Sequence, residues 1–285
     1  MKAKISCTAR YLPERVLSNF DLEKMVDTTD EWIRSRTGIE KRHLVGEGEA
    51  TSDMCTMIAK QLLEKSGKAP EEIDLILIAT STPDYMVVST AALVQDKIGA
   101  INAWGYDIVA ACTGFVYAME TGSKLVESGQ YKNAMVIGAD TMSSIIDYTD
   151  RNTCVIFGDG GGGVLLEPSK DETGILDSIL HVDGSGSKYL TVPAGGSLHP
   201  ASKDTVDKKM HYVYQDGKTV FKFAVKNMAD VSKKILDNNQ LTGDDIKLFI
   251  PHQANQRIID AAAKRCGLNA EKVFININKY GNTTA

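Results

Sequence analysis

The sequence has 285 residues, which is enough for one large domain or for two packed halves with a hydrophobic core. With 43% hydrophobic and 24% charged residues, its composition is that of a folded globular protein. Its 32 basic and 37 acidic residues give a net charge of −5, which argues against nucleic acid as a partner because phosphate binding needs a clustered positive excess.

The distribution of apolar residues and cysteines argues against two further classes. The longest aliphatic runs, such as Leu75–Ala79, are too short to span a bilayer, so we expect no membrane insertion. The five cysteines are odd in number, widely spaced and without a C-x-x-C motif, which argues against structural zinc and against a disulfide framework. We therefore expect a cytoplasmic protein with no metal site.

Helical and strand-like patterns alternate along the chain. Thr28 and Glu31 form a capping-box signature, which predicts a short helix around Trp32. Further on, near-continuous apolar runs predict buried strands, and segments of helical periodicity lie between them. The predicted helices span residues 52–66, 90–98 and 113–127, and the predicted strands span 73–80, 106–111, 134–138 and 154–157. Strands of this kind are covered on both faces, so the pattern predicts an α/β fold with helices on both sides of a sheet.

A weak internal repeat divides the chain. The segment Glu71–Leu77 (EEIDLIL) resembles Asp244–Ile250 (DDIKLFI), and each is followed by a helical stretch, a similar tripeptide and another predicted strand. We therefore predict two related α/β halves, residues 1–170 and 171–285. Because the first half continues beyond the point that corresponds to Ala285, we also expect that the second half is incomplete at its C-terminus.

Cys112 is the strongest candidate for a reactive residue. It lies in DIVAACTGF, where a predicted strand runs directly into a helix. A thiol at a helix N-terminus feels the positive end of the macrodipole, which lowers its pKa, and the free N–H groups there can hold an oxyanion. A free cysteine is usually a buried structural residue, and we interpret the other four in that way. For Cys112, its position and the following Gly114 favour a nucleophile.

His252 and Asn282 are weaker candidates when each is considered alone. His252 follows an apolar run and precedes a helix, at the sheet edge where α/β folds bind ligands. A lone histidine in such a place is more often a hydrogen-bonded core residue. Asn282 lies in KYGNTT, and its Gly-Asn pair by itself indicates a turn.

The glycine-rich run GDGGGG, from Gly158 to Gly163, formally matches the dinucleotide motif G-x-G-x-x-G. That motif requires a helix to begin within it, whereas the following residues Val164–Pro168 predict another strand. We interpret the glycines as positions where the backbone passes close to an active site, and we expect no bound cofactor.

Several long motifs in the same order make the sequence resemble the β-ketoacyl-acyl-carrier-protein synthase III family of thiolase-fold condensing enzymes. They are DLEKMVDTTDEWI at 21–33, RTGI at 36–39, FGDG at 157–160 and PHQAN at 251–255. The resemblance runs from Tyr11 through GNTT at 281–284, which is almost the whole chain. It departs from the family at Thr113 and Asn152, where the family often has Ala and Gly, but neither departure removes a catalytic group.

The resemblance implies a set of site residues in a thiolase-like fold. It implies a catalytic triad of Cys112, His252 and Asn282. Coenzyme A contacts are implied at Thr28, Trp32, Arg36, Arg151 and Asn255, with Trp32 and Arg151 sandwiching the adenine. The implied carrier-protein contact covers Gln253, Ala254, Asn255, Gln256 and Arg257.

The activity that the resemblance implies is a decarboxylative Claisen condensation of an acyl-CoA primer with malonyl-acyl-carrier protein. The product is a 3-oxoacyl-acyl-carrier protein, which initiates fatty-acid biosynthesis. The implied enzyme is a homodimer that takes coenzyme A thioesters as substrates and needs no metal or redox cofactor.

Other classes remain as alternatives. One is a related thiolase-fold condensing or acyl-transfer enzyme of secondary metabolism, and another is a non-catalytic acyl-binding subunit. A thiolase or a hydroxymethylglutaryl-CoA synthase would need a second catalytic Cys, or a Glu near the His. A papain-like hydrolase also has the order Cys, His, Asn, but its local Cys signature is missing here.

A basic patch for the acidic carrier protein is predicted despite the net negative charge. Arg257, Lys264 and Arg265 share one helix face because they are spaced at i, i+7 and i+8. Lys222 and Lys226, at i and i+4, form a second small cluster that could lie beside the first.

The primer pocket is predicted to be roomy. Val87 and Val88 occupy the loop in which acetyl-preferring bacterial members of the family often carry a Phe-Pro pair, and this loop is thought to cross to the dimer partner. Smaller side chains there should admit longer or branched acyl groups.

Overall fold

The computed structural model describes residues 1–171 and 173–285. The β-strands are β1 (Ala3–Tyr11), β2 (Arg15–Ser18), β3 (Lys41–Leu44), β4 (Leu75–Ala79), β5 (Trp104–Ile108), β6 (Ala134–Asp140), β7 (Gly160–Pro168), β8 (Leu190–Thr191) and β9 (Tyr214–Gln215). The α-helices are α1 (Asn19–Leu22), α2 (Asp30–Thr37), α3 (Thr51–Ser66), α4 (Thr90–Ile98), α5 (Gly114–Glu127), α6 (Arg151–Cys154), α7 (Lys203–Asp207), α8 (Gly217–Asn238), α9 (Gln256–Arg265) and α10 (Ile277–Tyr280).

Five strands form a mixed sheet in the order β1-β7-β6-β4-β5. β4 runs parallel to β5 and β6, whereas β7 pairs antiparallel with β6 and β1. Side chains alternate between the two faces, as strand geometry requires. Ile76 and Ile78 pack in the core formed with α3 and α4, while Leu75 and Leu77 pack in the core formed with α5. Every residue of β4 and β6 is buried, so the predicted α/β architecture with both faces covered is confirmed.

The edge strand β5 lies close to β4 because of one glycine. Gly105 stands opposite Ile76, and a β-carbon at Gly105 would lie 2.1 Å from the Ile76 carbonyl oxygen. Trp104 and Tyr106 on the same strand remain partly exposed, which leaves an aromatic edge on the described chain.

A second core lies beside the sheet. It packs α2, through Ile33, against Phe157 and Ile277. The fully buried Arg42 guanidinium crosses this region and donates hydrogen bonds to the carbonyl oxygens of Leu17 and Val155 and to the side chain of Asn19. Burial lowers the pKa of Arg42 to about 10, so it stays charged at neutral pH.

The long predicted helices match the structure closely, but the predictions around two short helices are wrong. The predicted strand at 154–157 is absent from the described chain, because the Asp150 side chain accepts a hydrogen bond from the Asn152 N–H and starts helix α6. The predicted cap of α2 is displaced by one residue. Thr29, rather than Thr28, accepts a hydrogen bond from the Trp32 N–H.

The C-terminal part repeats an order of elements seen earlier in the chain. The later order is helix α8, the segment 248–250, helix α9 and Val273. It matches the earlier order of α3, β4, α4 and β5. The apolar run before His252 forms a single parallel bridge, between Phe249 and Val273, in place of a full strand. None of the helices described here combines the length and the apolarity needed to cross a membrane.

Candidate active site

A cavity of about 390 Å³ lies where the first and last parts of the chain meet. Cys112 and His252, which are 140 positions apart in the sequence, both line it. The other lining residues are Arg10, Leu12, Phe115, Val116, Gly138, Gly161, Gly162, Gly163, Val164, Ile250, Pro251, Gln253, Asn276, Tyr280, Gly281, Thr283, Thr284 and Ala285. The wall is mainly apolar, so it suits an acyl chain.

Cys112 is held on a strained turn. Strand β5 ends at Ile108, earlier than predicted, because Ala111 has φ of 45° and begins a single 3-10 turn before helix α5. A residue with a β-carbon rarely adopts this conformation, which costs of the order of 1–3 kcal/mol. The turn leaves the thiol just before the N-terminus of α5, as the sequence predicts.

The expected lowering of the Cys112 pKa is not what the surroundings produce. Burial, and after it the negative charge of Asp140, raise the pKa of the thiol to about 12. The helix dipole acts in the opposite direction, but desolvation of the thiolate is the larger effect here.

His252 contributes a neutral imidazole. Its Nε2 atom is buried and has no hydrogen-bond partner among the residues described, and burial lowers the pKa of the ring to about 4. A neutral ring has one N–H donor and one acceptor nitrogen. His252 can therefore donate a hydrogen bond to a carbonyl oxygen in the cavity without carrying a charge.

Asn282 is buried and fixed by its backbone. It forms a parallel bridge with Phe157, in which its N–H donates to Ile156 and its carbonyl accepts from the N–H of Gly158. Its side-chain oxygen accepts a hydrogen bond from the Thr284 N–H at 3.0 Å, which orients the amide. Asn282 itself is not a lining residue, but Gly281 and Thr283 on either side of it are.

Asp140 is a buried carboxylate that the sequence analysis missed. One oxygen accepts hydrogen bonds from Thr80, Ser81 and Thr82, and the other accepts from the Ala285 N–H at 3.0 Å. Burial raises its pKa to about 6. Asp140 thus ties the segment after Asn282 to the central sheet. Its place at the end of an apolar strand is the only sequence signal that pointed to it.

The two residues expected to sandwich an adenine lie together. The Arg151 guanidinium carbon is 5.2 Å from the centroid of the Trp32 ring, and both side chains are partly exposed. The Arg151 side chain also donates to the carbonyl oxygen of Asp27 at 2.8 Å, which fixes it beside α2. This arrangement leaves an aromatic face and a planar cation at the surface, a pair suited to a nucleobase.

The remaining predicted coenzyme A residues surround α2. Thr28 lies just before the helix, and its hydroxyl is buried without a hydrogen-bond partner in the described chain. Arg36 is in the last turn, where its carbonyl oxygen accepts a hydrogen bond from the Asn255 side chain at 2.9 Å. Asn255 also caps helix α9 by accepting from the Arg257 N–H, so its amide has structural partners already.

The predicted carrier-protein segment 253–257 divides into two parts. The Gln253 side chain is hydrogen-bonded inside the protein, and Ala254 is only partly exposed. Gln256 donates to Asp260 one turn later, and Arg257 is exposed on α9. The Arg257 guanidinium lies 4.9 Å from the centroid of the Phe221 ring, so the predicted basic faces of α8 and α9 are neighbours.

Some basic residues of these two faces already form an ion pair with an acidic residue of the chain. Arg265 and Lys226 both pair with Asp230, at 3.0 Å and 2.9 Å respectively. Lys222 and Lys264 form no ion pair among the residues described. The positive charge available to a partner is therefore concentrated at Arg257, Lys222 and Lys264.

The glycine run and the pair Val87 and Val88 differ in their relation to the cavity. Gly161, Gly162 and Gly163 line the cavity, as the interpretation of the glycine run predicts. A β-carbon at Gly161 would lie 2.6 Å from the Ala139 side chain, so the strands approach closely only because the residue is glycine. Val87 and Val88 do not line the cavity of their own chain; Val87 is 95% exposed.

Comparison with known proteins identifies relatives of this chain. The family model for 3-oxoacyl-[acyl-carrier-protein (ACP)] synthase III matches residues 106–184, and the model for the C-terminal part of that family matches residues 236–285. The β-ketoacyl-[acyl-carrier-protein] synthase III of Chlorobium luteolum is 58% identical over 288 aligned positions, which cover all of this chain and 88% of that protein. The protein of the same name from Koribacter versatilis is 57% identical over 286 positions, covering all of this chain and 86% of the relative.

Solved structures agree with the sequence relatives. The crystal structure of 3-oxoacyl-[acyl-carrier-protein] synthase III from Aquifex aeolicus is 43% identical and superposes with a TM-score of 0.91. The superposition covers 99% of this chain and 87% of that one.

Proposed function

We propose how this chain, which belongs to the β-ketoacyl-[acyl-carrier-protein] synthase III family, catalyses the condensation of an acyl-CoA with malonyl-acyl-carrier protein. It is an acyltransferase with the α/β thiolase-like fold, and its reaction initiates fatty-acid biosynthesis.

Cys112 carries the acyl group in the first half-reaction. Its sulfur attacks the carbonyl carbon of the acyl-CoA, the C–S bond to coenzyme A breaks, and coenzyme A leaves as the free thiol with the proton that Cys112 gives up. Backbone N–H groups at the start of α5 stabilise both the thiolate and the tetrahedral oxyanion. The strained turn at Ala111 supports this role, because it holds the thiol at that helix end.

His252 and Asn282 serve the second half-reaction. Each donates a hydrogen bond to the thioester carbonyl oxygen of malonyl-acyl-carrier protein. As carbon dioxide leaves, the electron pair of the broken C–C bond forms an enolate, and its negative oxygen is stabilised by both donors. The enolate carbon then attacks the acyl carbonyl on Cys112, and the Cys112 thiolate is released. The low pKa of His252 supports a neutral donor rather than a cation.

One observation carries this assignment: Cys112 and His252, from distant parts of the sequence, line one apolar cavity, and the residues on either side of Asn282 line it too. Among the described residues that line the cavity, Cys112 is the one thiol and there is no glutamate. This favours a condensing enzyme with a Cys–His–Asn set over a thiolase or a hydroxymethylglutaryl-CoA synthase.

The test is to follow the two half-reactions separately. Intact mass after incubation with acyl-CoA should show one acyl adduct on the parent and on Cys154→Ser, and none on Cys112→Ser. Carbon dioxide should be released from malonyl-acyl-carrier protein by the parent, and about 10²–10³ times more slowly by His252→Ala or Asn282→Ala. An acyl adduct on another cysteine in Cys112→Ser would overturn the assignment of the nucleophile.

Coenzyme A is proposed to bind at Thr28, Trp32, Arg36, Arg151 and Asn255, with its adenine between Trp32 and Arg151. Their position side by side on one exposed surface supports this, as does the buried hydroxyl of Thr28, which has no partner among the described residues. Because 5.2 Å leaves no room for a stacked ring, the Arg151 guanidinium must move away from the Trp32 ring to admit the base. The carrier protein is proposed to dock over 253–257, with Arg257 as its principal charged contact. A cytoplasmic location is proposed because coenzyme A thioesters and free thiols belong to a reducing compartment.

The assembly is proposed to be a homodimer of chains that each contain two related halves, 1–170 and 171–285. The dimer is supported by exposed apolar residues on the edge strand β5 and in the loop at 85–88, since unpaired edges and contiguous apolar surface mark interaction sites. The two halves are supported by the shared order of α3, β4, α4, β5 and α8, 248–250, α9, Val273.

A further inference from the structure

The side-chain amide of Gln253 is used completely inside the protein. Its Nε2 donates to the carbonyl oxygens of Pro251, at 3.0 Å, and Phe274, at 3.1 Å. Its Oε1 accepts from the backbone N–H groups of Asn276, at 2.9 Å, and Ile277, at 3.1 Å. Both donors and the acceptor oxygen of one glutamine are therefore satisfied, with three of the four bonds reaching a segment more than 20 residues away.

The two segments joined by Gln253 are those that carry His252 and Asn282. Gln253 directly follows His252, whereas Ile277 begins helix α10, which ends at Tyr280, two residues before Asn282. The bridge between Phe249 and Val273 joins the same two segments a few residues earlier. Gln253 extends this junction to the edge of the cavity.

No hydrogen bond to Nε2 fixes the His252 ring among the described residues. The ring position therefore depends on the backbone around it. Asn282 depends in the same way on its backbone bridge to Phe157. The distance between the two donors is therefore set by how the two backbone segments are joined.

We propose that Gln253 is a positioning residue that sets the distance between the His252 imidazole and the Asn282 amide for decarboxylation of the malonyl thioester. This rests on the proposed function, since the two donors act together only in that half-reaction. Although Gln253 belongs to the segment proposed to meet the carrier, its side-chain amide accordingly contributes to the carrier-protein reaction through contacts within the protein. Misplacing a catalytic group by about 1 Å can cost about 10²-fold in rate, so the loss of this junction should be measurable.

Two substitutions separate the hydrogen bonds from the space that the side chain fills. Gln253→Ala removes all four bonds. Gln253→Glu keeps the shape and the acceptor oxygen but loses the two donors, and it places a negative oxygen against the Pro251 and Phe274 carbonyls. We expect carbon dioxide release from malonyl-acyl-carrier protein to fall about 10-fold to 100-fold in Gln253→Ala. Acyl transfer from acyl-CoA to Cys112 should stay within about threefold of the parent, because none of the four hydrogen bonds of Gln253 reaches the turn that carries Cys112.

The matched control is Gln95→Ala. Gln95 is also partly buried and also donates to a main-chain carbonyl, that of Ala100 at 2.8 Å, but it lies at the end of α4, outside the cavity lining. It should lower thermal stability without separating the two half-reactions. A direct readout that does not depend on activity is hydrogen exchange: the Asn276 and Ile277 amides should lose protection in Gln253→Ala and keep it in Gln95→Ala.

A double-mutant cycle then tests the coupling. If Gln253 acts through the donor pair, Gln253→Ala should slow decarboxylation little further in an Asn282→Ala background. Additive losses, or equal losses in both half-reactions, would mean that the glutamine only stabilises the fold. A rise in KM for the carrier protein with an unchanged rate of decarboxylation would make Gln253 a carrier contact and overturn the proposal.

The same measurements distinguish this proposal from the proposed function. A parent enzyme that forms the acyl adduct but releases no carbon dioxide would contradict the proposed decarboxylation itself, and the positioning role with it. If Gln253→Ala releases carbon dioxide as fast as the parent does, the proposed function stands and only the role of Gln253 is rejected.

Discussion

At the scale of single residues, His252 should make the folded protein less stable as the pH falls. Its pKa falls from the ordinary 6.5 to about 4 because its ring is buried. Below pH 6.5 the unfolded chain takes up a proton that the folded chain does not, so the free energy of unfolding decreases as the pH falls from about 6.5 to about 4. The loss should reach at most about 3 kcal/mol.

This prediction can be measured by urea unfolding of the parent and of His252→Gln between pH 4 and 8. The parent should lose more stability than the variant over the acidic half of that range. The carboxylates titrate in both proteins, including Asp140, whose raised pKa acts with the opposite sign, so the difference isolates His252. Parallel stability curves would mean that His252 is protonated in the folded state as readily as in water.

The Cys112 thiol should be slow to ionise in the free enzyme. Because burial and Asp140 raise its pKa to about 12, alkylation by iodoacetamide should rise about tenfold per pH unit from pH 7 to 10 without reaching a plateau. Asp140→Asn removes a charge that is present at pH 8, since the pKa of Asp140 is about 6, and should speed alkylation several-fold at that pH. Peptide mapping by mass spectrometry measures the rate at Cys112 alone.

The control for that experiment is Asp159→Asn. Asp159 is also a buried carboxyl with a raised pKa. It accepts hydrogen bonds from the N–H groups of Val45 and Ser143, and its charge is not among those that raise the pKa of Cys112. It should leave the alkylation rate of Cys112 nearly unchanged. A plateau below pH 8 in the parent would show instead that the helix N-terminus outweighs burial.

At the scale of elements, α2 and α6 together present the surface proposed for the adenine. Trp32→Ala should raise the KM for acyl-CoA about tenfold, because a stacked base contributes about 1–3 kcal/mol. The KM for an acyl-pantetheine thioester, which has no adenine, should not change. Arg34→Ala is the matched control, since Arg34 lies on α2 but pairs with Glu40 at 3.0 Å, away from Trp32. Equal increases for both thioesters would place the adenine elsewhere.

Helices α8 and α9 together present the predicted docking face. Reversing Arg257 and Lys264 to Glu should raise the KM for malonyl-acyl-carrier protein several-fold, and the effect should shrink as salt is raised, because exposed charges are screened within about 10 Å. Acyl transfer from small acyl-CoAs should be nearly unaffected. Lys60→Glu with Lys132→Glu makes the same change in net charge at exposed positions outside this face. A KM that stays constant in the first variant at every salt concentration would reject this docking face.

At the scale of the whole molecule, the loop at 85–88 links assembly to specificity. Its apolar side chains are exposed in the single chain and do not line that chain's cavity, so they can shape a primer pocket only in a partner subunit. We expect a dimer in sedimentation equilibrium, and we expect butyryl-CoA and isobutyryl-CoA to acylate Cys112 about as well as acetyl-CoA. Val87→Phe should restrict the enzyme towards acetyl-CoA. A monomer, or a parent already restricted to acetyl-CoA, would contradict this role of the loop.

The sequence by itself determined the class of fold and supplied the residues that are proposed for the site. Continuous apolar runs such as those at β4 and β6 predicted strands covered on both faces, and the helix at 90–98 was predicted to the residue. These features are local, because they depend on periodicity and capping within one segment. The residues proposed to be catalytic, in contrast, were singled out as a set only by motifs shared with a family, since His252 and Asn282 each look like ordinary structural residues when considered alone.

Only the tertiary structure decided how those residues interact. Burial, which depends on what the rest of the chain packs around a group, raised the pKa of Cys112 where its place before a helix suggested the opposite. Long-range contacts also revealed Asp140 beneath the Asn282 segment and turned Gln253 from a surface contact into an internal junction. Such contacts join positions far apart in the sequence, so no local pattern contains them.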